Sequence, residues 1–519
     1  MLLRMHRALM LLFLLFIHVV GTAWGQVPHL QDIEKRHGLA GISVVTHCAE
    51  AVSTEYHAGF RNIGLKLPTD SATAYRVASI SKAAVALVTA KLLEQGHLDI
   101  DAPLDTYLTP SLSHPQYPEQ PLTLRMLLSH TSGIRDGLGY SGFLSATYAS
   151  APDVPALAEA LVPGGRHCTE DMWGPHPPGS YFHYSNLNFG VVATVLEAAT
   201  GIRFDLLMGA LLLDPYGLDG GFVRKDLDQP SNLATLYRQE AGQWVAQADG
   251  LNGAQSPGPN WEGYLPGTNA VGFAPQGGLR ISARGLTALA QLWSKGSAQG
   301  PDGPLAFLGP QGRLLLQTPQ WQFDGSNGDP YHGLFNQWSA GLHMASSGLG
   351  DDTVMPGLGA GPLLGHPGEA YGLISDAYAT PDGNWSVAFV TNGKWDGYSA
   401  GSSSAFYALE EEVYAALTAD FVRCRLRSTT SPVHPQWSAF GAPAEGDTTL
   451  RLMGTPKQGP VKADWHATGQ PALLGLRCTP LEEGQWMLEL PPLSAGIHRL
   501  DISSEAHPQP IHMLVWVGP

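Results

Sequence analysis

The chain is short of charge, and most of all of positive charge. Charged residues make up 14% of its 519 positions, with 29 Lys and Arg against 45 Asp and Glu, for a net charge of −16. That balance excludes the electrostatic basis for gripping nucleic acid or an anionic membrane surface, so the expected partner is a small-molecule or peptide substrate. Cysteine is scarce: Cys48, Cys168, Cys424 and Cys478 are the only four, and none stands in a Cys-x-x-Cys pair. Zinc ribbons and thioredoxin-like redox chemistry are thereby disfavoured. There is no His-Glu-x-x-His motif, and no metal or cofactor is called for. After the N-terminal segment no apolar run is long enough to span a bilayer. Internal repeats and low-complexity tracts are missing as well, and oligomeric state is left open.

Glycine (61) and proline (40) are plentiful, which points to many loops and excludes a coiled coil. The length predicts two or three domains. Residues 1–25 read as a signal peptide: Arg4 and Arg7, an apolar stretch from Ala8 to Val20, then Ala23-Trp24-Gly25 before a mature start at Gln26. An uncleaved anchor is the alternative, but the apolar run is shorter than the ~20 residues of a spanning helix. The expectation is export to a periplasm or the medium, and the mature chain carries −18. Export permits disulfides. Four cysteines allow three pairings, and Cys424 with Cys478 is preferred because both read as parts of a C-terminal module, with four buried thiols as the alternative.

Periodicity gives strands at Gly41 to Cys48 and Val52 to Phe60, a helix from Ser79 to Gln95, and a short helix entering a turn within 121–134. Helices follow at Asn188 to Thr200 and Ser282 to Ser294, with loop-rich sequence over 240–278. Strand character returns at Gln337 to Met344, Gly372 to Thr380 and Trp385 to Val390, before an acidic helix over Ser402 to Phe421. The predicted fold class is α+β: early and late strands share one antiparallel sheet, flanked by helices, with the helical middle as a second lobe over a cleft. From about residue 425 short strands recur at regular spacing and suggest a small β-sandwich-like domain, giving domains at 26–424 and 425–519.

Ser79-Ile80-Ser81-Lys82 is the only place where a lysine follows a serine by three residues. On a helix that spacing puts both side chains on one face. A helix N-terminus favours negative charge on the seryl oxygen, and a half-buried lysine can shed its proton near neutrality and take one from the serine. The bland alternative is a helix cap beside a solvated lysine. Tyr184-Ser185-Asn186 is the sole Tyr-x-Asn. A tyrosine near a lysine can relay a proton, and the Asn186 amide can hold the lysine and a substrate carbonyl; a packed loop tyrosine and a capping asparagine explain the same residues. His366-Pro367-Gly368 can set a donor, His366, beside the nucleophile, with Gly368 permitting close backbone approach and the Glu369 N–H joining that of Ser79 as an oxyanion hole. His57-Ala58-Gly59 matches the same cheap pattern.

Taken in order, Ser-x-x-Lys, Tyr-x-Asn and His-x-Gly, with Tyr75 to Ser79, Leu127 to Gly133, Pro178-Gly179 and Gly277-Gly278-Leu279 around them, resemble the serine β-lactamase-related family. The resemblance covers roughly residues 30–420. It includes class C β-lactamases, D-alanyl-D-alanine carboxypeptidases, D-aminopeptidases and esterases. It implies a β-lactamase/transpeptidase-like fold and an acyl-enzyme mechanism in which Ser79 attacks while Lys82 and Tyr184 move protons. The third motif departs from the Lys-Thr-Gly usual in β-lactamases and D,D-peptidases, and a mostly neutral His366 is a weaker receptor for a substrate carboxylate. This shifts the expected substrate toward small amides or esters, with Glu369 a candidate for attracting a substrate ammonium. D,D-carboxypeptidase or β-lactamase action, or a binding protein that retained the fold, are the alternatives.

Two weaker patterns complete the reading. Gly397-Tyr398-Ser399-Ala400-Gly401 matches a nucleophile elbow but does not leave a strand directly, and reads as a small-residue loop. His167, Cys168, Glu170, Asp171 and His176 crowd one loop and could bind a metal, but they also suit an ordinary polar loop or a disulfide, which is the preferred reading.

Overall fold

The computed structural model describes residues 27–49, 51–249, 259–355 and 361–428, and most of the strands between 438 and 517. The signal-peptide reading of residues 1–25, and the mature start at Gln26, lie outside the described residues.

Early and late strands do share one sheet. Strand β1 (Gly41–Cys48) pairs antiparallel with β2 (Ala51–Asn62) on one side and with the late strand β5 (Trp385–Thr391) on the other. β5 continues to β4 (Leu373–Ala379), which pairs with β3 (Leu363–Ala370). Short edge strands extend this to nine, every pairing antiparallel. Alternation divides the side chains between two faces. Ile42, Val44, Tyr378, Val387 and Phe389 belong to the core beneath helices α1 (Val27–Arg36) and α5 (Ala408–Ser428). Val45, Ala377, Ala388 and Val390 face the larger core built with α2 (Ser81–Glu94), α3 (Asn186–Thr200) and α4 (Ala283–Lys295).

The helices stop and start where local chemistry directs. Gly201 and Gly296 take left-handed φ values of 68° and 80° after α3 and α4, and the Ser282 hydroxyl accepts from the Gly285 N–H to cap α4. The stretch expected to be loop-rich contains a hairpin, Leu236–Glu240 with Gln243–Ala248. Its tight turn at Ala241-Gly242, both at positive φ, was hidden by the polar composition around it.

The disulfide expectation is corrected. Cys424 bonds Cys48, with 5.4 Å between their Cα atoms, and Cys478 is free, as is Cys168. The reason is where Cys424 lies. It belongs to α5, whose Leu409, Val413, Leu417 and Phe421 pack on the first sheet, whereas Cys478 is buried in a separate core. Cys48, at the end of β1, is under that helix.

The C-terminal strands form one unbroken sheet. Its order is 438–440, 449–453, 485–489, 473–480, 461–466, 496–504 and 507–517. A hairpin from the helical lobe, Ser297–Gly300 with Gly303–Ala306, extends it, through parallel pairing of Leu305 and Ala306 with His512 and Met513. The two parts of the chain are thus joined by backbone hydrogen bonds as well as by the polypeptide. No helix among the described residues is long and apolar enough to cross a membrane.

Candidate active site

Ser79 lies at the entry to α2. A single 3-10 turn, Ala78–Ile80, precedes the helix, and Ala78 is held at φ 45°. Alanine pays about 1 kcal/mol or more for that conformation, so the turn must be clamped from outside. The clamp is Leu279, whose carbonyl accepts from the Val77 N–H at 3.0 Å and whose N–H donates to the Ser81 hydroxyl at 3.0 Å. Ser81 Oγ donates in turn to the Ala78 carbonyl at 2.7 Å. The signature Gly277-Gly278-Leu279 and the second serine of the first motif therefore serve one purpose, which is to fix the turn that carries Ser79.

Lys82 has no exposed surface. Its Nζ lies 3.0 Å from Ser79 Oγ, 2.9 Å from Asn186 Oδ1 and 2.9 Å from the Gln276 carbonyl. Burial lowers its pKa to about 7, opposed by the charge of Asp136. The partner set accommodates both protonation states. As an ammonium, Nζ donates to Ser79 Oγ, Asn186 Oδ1 and the Gln276 carbonyl. As an amine it keeps its two N–H bonds on Asn186 and Gln276, which can only accept, and turns its lone pair to the Ser79 hydroxyl.

Tyr184 is packed between the rings of His130, at 4.4 Å, and Phe335, at 5.4 Å, and its own ring lies 4.7 Å from Lys82 Nζ. Burial raises the phenol well above its ordinary value, with a hydrogen bond to Ser79 acting in the opposite direction. The tyrosine consequently rests as a neutral phenol, in contrast to the phenolate that a neighbouring lysine suggests. Its hydroxyl lies 3.4 Å from His366 Nε2. His366 Nδ1 is 2.5 Å from the Pro367 carbonyl and must carry the proton there. Burial, and then the charge of Lys82, hold this histidine well below its usual pKa. Nε2 is therefore a lone pair, and the Tyr184 hydroxyl donates to it.

His366 sits in the middle of β3, and Gly368 explains why that strand can approach so closely. A Cβ there would stand 2.6 Å from the Val77 carbonyl and 2.4 Å from Ser375 Oγ. Glu369 points elsewhere: it is exposed, and its carboxylate accepts from the Tyr407 hydroxyl. The competing His57, on β2, has both ring nitrogens taken up, by Ser43 of β1 and by Glu55. Among the loop residues 167–176, Asp171 is taken up by Leu138 and Thr169. No group of three or more metal-ligating side chains is assembled among the described residues.

Two residues central to this geometry carry no sequence signal. Asp136 accepts four hydrogen bonds, from the Asn186 N–H and Nδ2 (both 2.8 Å), the Leu187 N–H (2.9 Å) and the Ser185 hydroxyl (2.9 Å). It supplies the cap that Ser185, at the N-cap of α3, does not, and by binding Asn186 Nδ2 it turns Oδ1 toward Lys82. His130, at φ 56°, accepts the Ser185 N–H through Nδ1 at 3.1 Å while its ring supports Tyr184. A lone aspartate in a loop has nothing in its spacing to mark it. His130 lay within the quoted Leu127 to Gly133 signature but without a role.

Comparison with known proteins identifies the family. A sequence model described as Beta-lactamase matches residues 28–402, and the chain belongs to that family. Esterase EstB of Burkholderia gladioli is 31% identical over 253 residues, 47% of this chain and 60% of the esterase. The chain spans less than two thirds of the length of the curated relatives it matches. Two solved structures share the fold: an octameric penicillin-binding protein homologue from Pyrococcus abyssi (TM-score 0.53, 18% identity, 96% of both chains) and D-amino acid amidase from Ochrobactrum anthropi SV3 (TM-score 0.52, 19% identity, 77% of this chain and 98% of that one). The fold is β-lactamase/transpeptidase-like, with the C-terminal sheet appended.

Proposed function

We propose that this member of the Beta-lactamase family is an exported serine hydrolase that cleaves small esters or amides through an acyl-enzyme on Ser79. The observation that carries the reading is a buried Lys82 Nζ 3.0 Å from Ser79 Oγ, held there by Asn186 Oδ1 and the Gln276 carbonyl.

The steps follow from the groups present. As Ser79 Oγ bonds to the substrate carbonyl carbon, its proton passes to Lys82 Nζ. The N–H groups of Ser79 and Glu369 receive the oxyanion, and the positive end of α2 adds to them. Collapse breaks the bond to the leaving alcohol or amine, which takes a proton from Lys82 through the Tyr184 hydroxyl. Water then attacks the acyl carbon and gives its proton to Lys82, which passes it to Ser79 Oγ as the acyl C–Oγ bond breaks, restoring the serine and the amine. His366 keeps Tyr184 oriented and carries no charge that would draw a substrate carboxylate to this spot. The resemblance to an esterase and a D-amino acid amidase supports substrates of that kind over β-lactams.

Hydrolysis of 4-nitrophenyl esters and D-amino-acid 4-nitroanilides by wild type and Ser79→Ala tests the proposal. At least ~10⁴-fold loss in the variant is expected. Equal rates in the two proteins overturn it, and rapid nitrocefin turnover overturns the preference against β-lactams. Export is tested separately, by finding the secreted protein to begin at Gln26.

A further inference from the structure

A cavity of about 610 Å³ is built in part by three segments of chain that also build the Ser79 site. Arg76 lines it, three residues before Ser79 and so no more than about 11 Å along the chain. Ala274 lines it too, and its carbonyl accepts the N–H groups of Gly277 and Gly278 next to Gln276. Tyr371 follows directly on β3, which carries His366. The walls are otherwise aromatic, with Tyr148, Trp261 and Phe273.

Charge in this cavity runs against the rest of the molecule. Among the described residues, Arg76, Arg224, Lys225 and Arg280 line it with one carboxylate, Asp249. Asp249 is shared: Oδ2 accepts from Arg76 Nε at 3.1 Å and Oδ1 from Arg280 at 2.9 Å. Arg280 also donates to the carbonyls of Phe222 and Gly278. Arg76 differs. Nε is its one bonded nitrogen, its guanidinium lies 5.7 Å from the centroid of the Tyr371 ring, and its two terminal NH₂ groups have no hydrogen-bond partner among the described residues. A planar fork of unmatched donors, in an electropositive, aromatic-walled cavity, is the geometry that binds a carboxylate in two parallel hydrogen bonds.

We infer that this cavity is a substrate subsite selecting a free carboxylate on an apolar or aromatic body, with Arg76 as its receptor, so that the preferred substrates are half-esters or half-amides of dicarboxylic acids. The inference rests on the proposed hydrolase reading for its catalytic half. For its binding half it does not.

Two measurements separate the two. Calorimetric titration of the wild-type protein with 4-phenylbutyrate and with its neutral amide, at 50 mM and 500 mM NaCl, reads binding without catalysis. The carboxylate should bind about tenfold more tightly, with the gap narrowing at high salt. Hydrolysis of 4-nitrophenyl succinate, glutarate and adipate half-esters is then compared with that of alkanoate esters of matched length. At least one anionic ester should be favoured about tenfold in kcat/KM, chiefly through KM. Both preferences should collapse toward unity in Arg76→Gln and persist in part in Arg76→Lys, each ratio being independent of how much protein folds. A carboxylate that binds no better than the amide overturns the subsite, as does a preference unchanged in Arg76→Gln. Preferential carboxylate binding without hydrolysis of any ester upholds the subsite and sinks the hydrolase reading instead.

Discussion

Two lysines are buried on the same helix, nine residues apart, and they differ in what surrounds them. Lys82, near the start of α2, meets the Ser79 hydroxyl, the Asn186 amide oxygen and the Gln276 carbonyl. Lys91, near its end, donates to the Phe307 carbonyl and lies near Glu94, whose own oxygens hold the Gly309 and Gly312 N–H groups. Burial lowers both, Lys82 to about 7 and Lys91 to about 8. A depressed lysine is therefore not in itself a mark of catalysis in this protein. What sets Lys82 apart is a hydroxyl in front of its lone pair and a helix N-terminus behind that hydroxyl.

The comparison breaks most sharply through substitution. Lys82→Ala should lower kcat/KM for a 4-nitrophenyl ester by 10²–10⁴-fold, the range for loss of a positioned base, while Lys91→Met should stay within about threefold of wild type. A large loss from Lys91→Met would show that burial, and not the partner set, makes the difference. Asp136→Asn comes next. It exchanges a four-fold acceptor for a group that must donate as well, so Asn186 loses its fixed orientation and kcat should drop about tenfold.

The pH profile sharpens the same contrast. The amine form of Lys82 is the reactive one, so kcat/KM should rise as pH passes upward through about 7. The Asp136 charge raises Lys82, and its removal should move that midpoint downward; a purely structural role for Asp136 would lower the rate and leave the midpoint in place. Stability has its own signature. Both lysines bind a proton more weakly folded than unfolded, so the unfolded chain holds more protons between the depressed values and the usual ~10.4, and stability should increase with pH across that window. Denaturant melts should show a shallower increase above about pH 8 in Lys91→Met. The smallest effect concerns the cross-link: Cys48→Ser should lower stability by about 2–4 kcal/mol with little change in rate, and Cys478→Ser should not mimic it.

Much of this was legible along the chain because the relevant contacts are local. Ser79 and Lys82 are one helical turn apart, Tyr184 and Asn186 straddle one residue, and strand character early and late in the chain pointed to one shared antiparallel sheet. Glu369, by contrast, followed His366 closely enough to invite a role in attracting substrate, and its carboxylate is taken up by Tyr407, 38 residues away. Asp136 was invisible for the converse reason: it acts on residues about fifty positions later, through bonds that only the packed structure creates. The cysteine pairing failed at a domain boundary, since the helix that carries Cys424 packs under a strand 376 residues earlier.

The sequence by itself determined the family, the nucleophile turn and the order of the motifs, since these depend on spacing within a turn or a strand. Tertiary structure alone decided where the protons rest. That depends on burial and on which atoms can only accept, neither of which is a property of a residue taken singly. It sets Lys82 Nζ against the Ser79 hydroxyl, makes Tyr184 a donor to His366, and leaves the terminal nitrogens of Arg76 without a hydrogen-bond partner among the described residues.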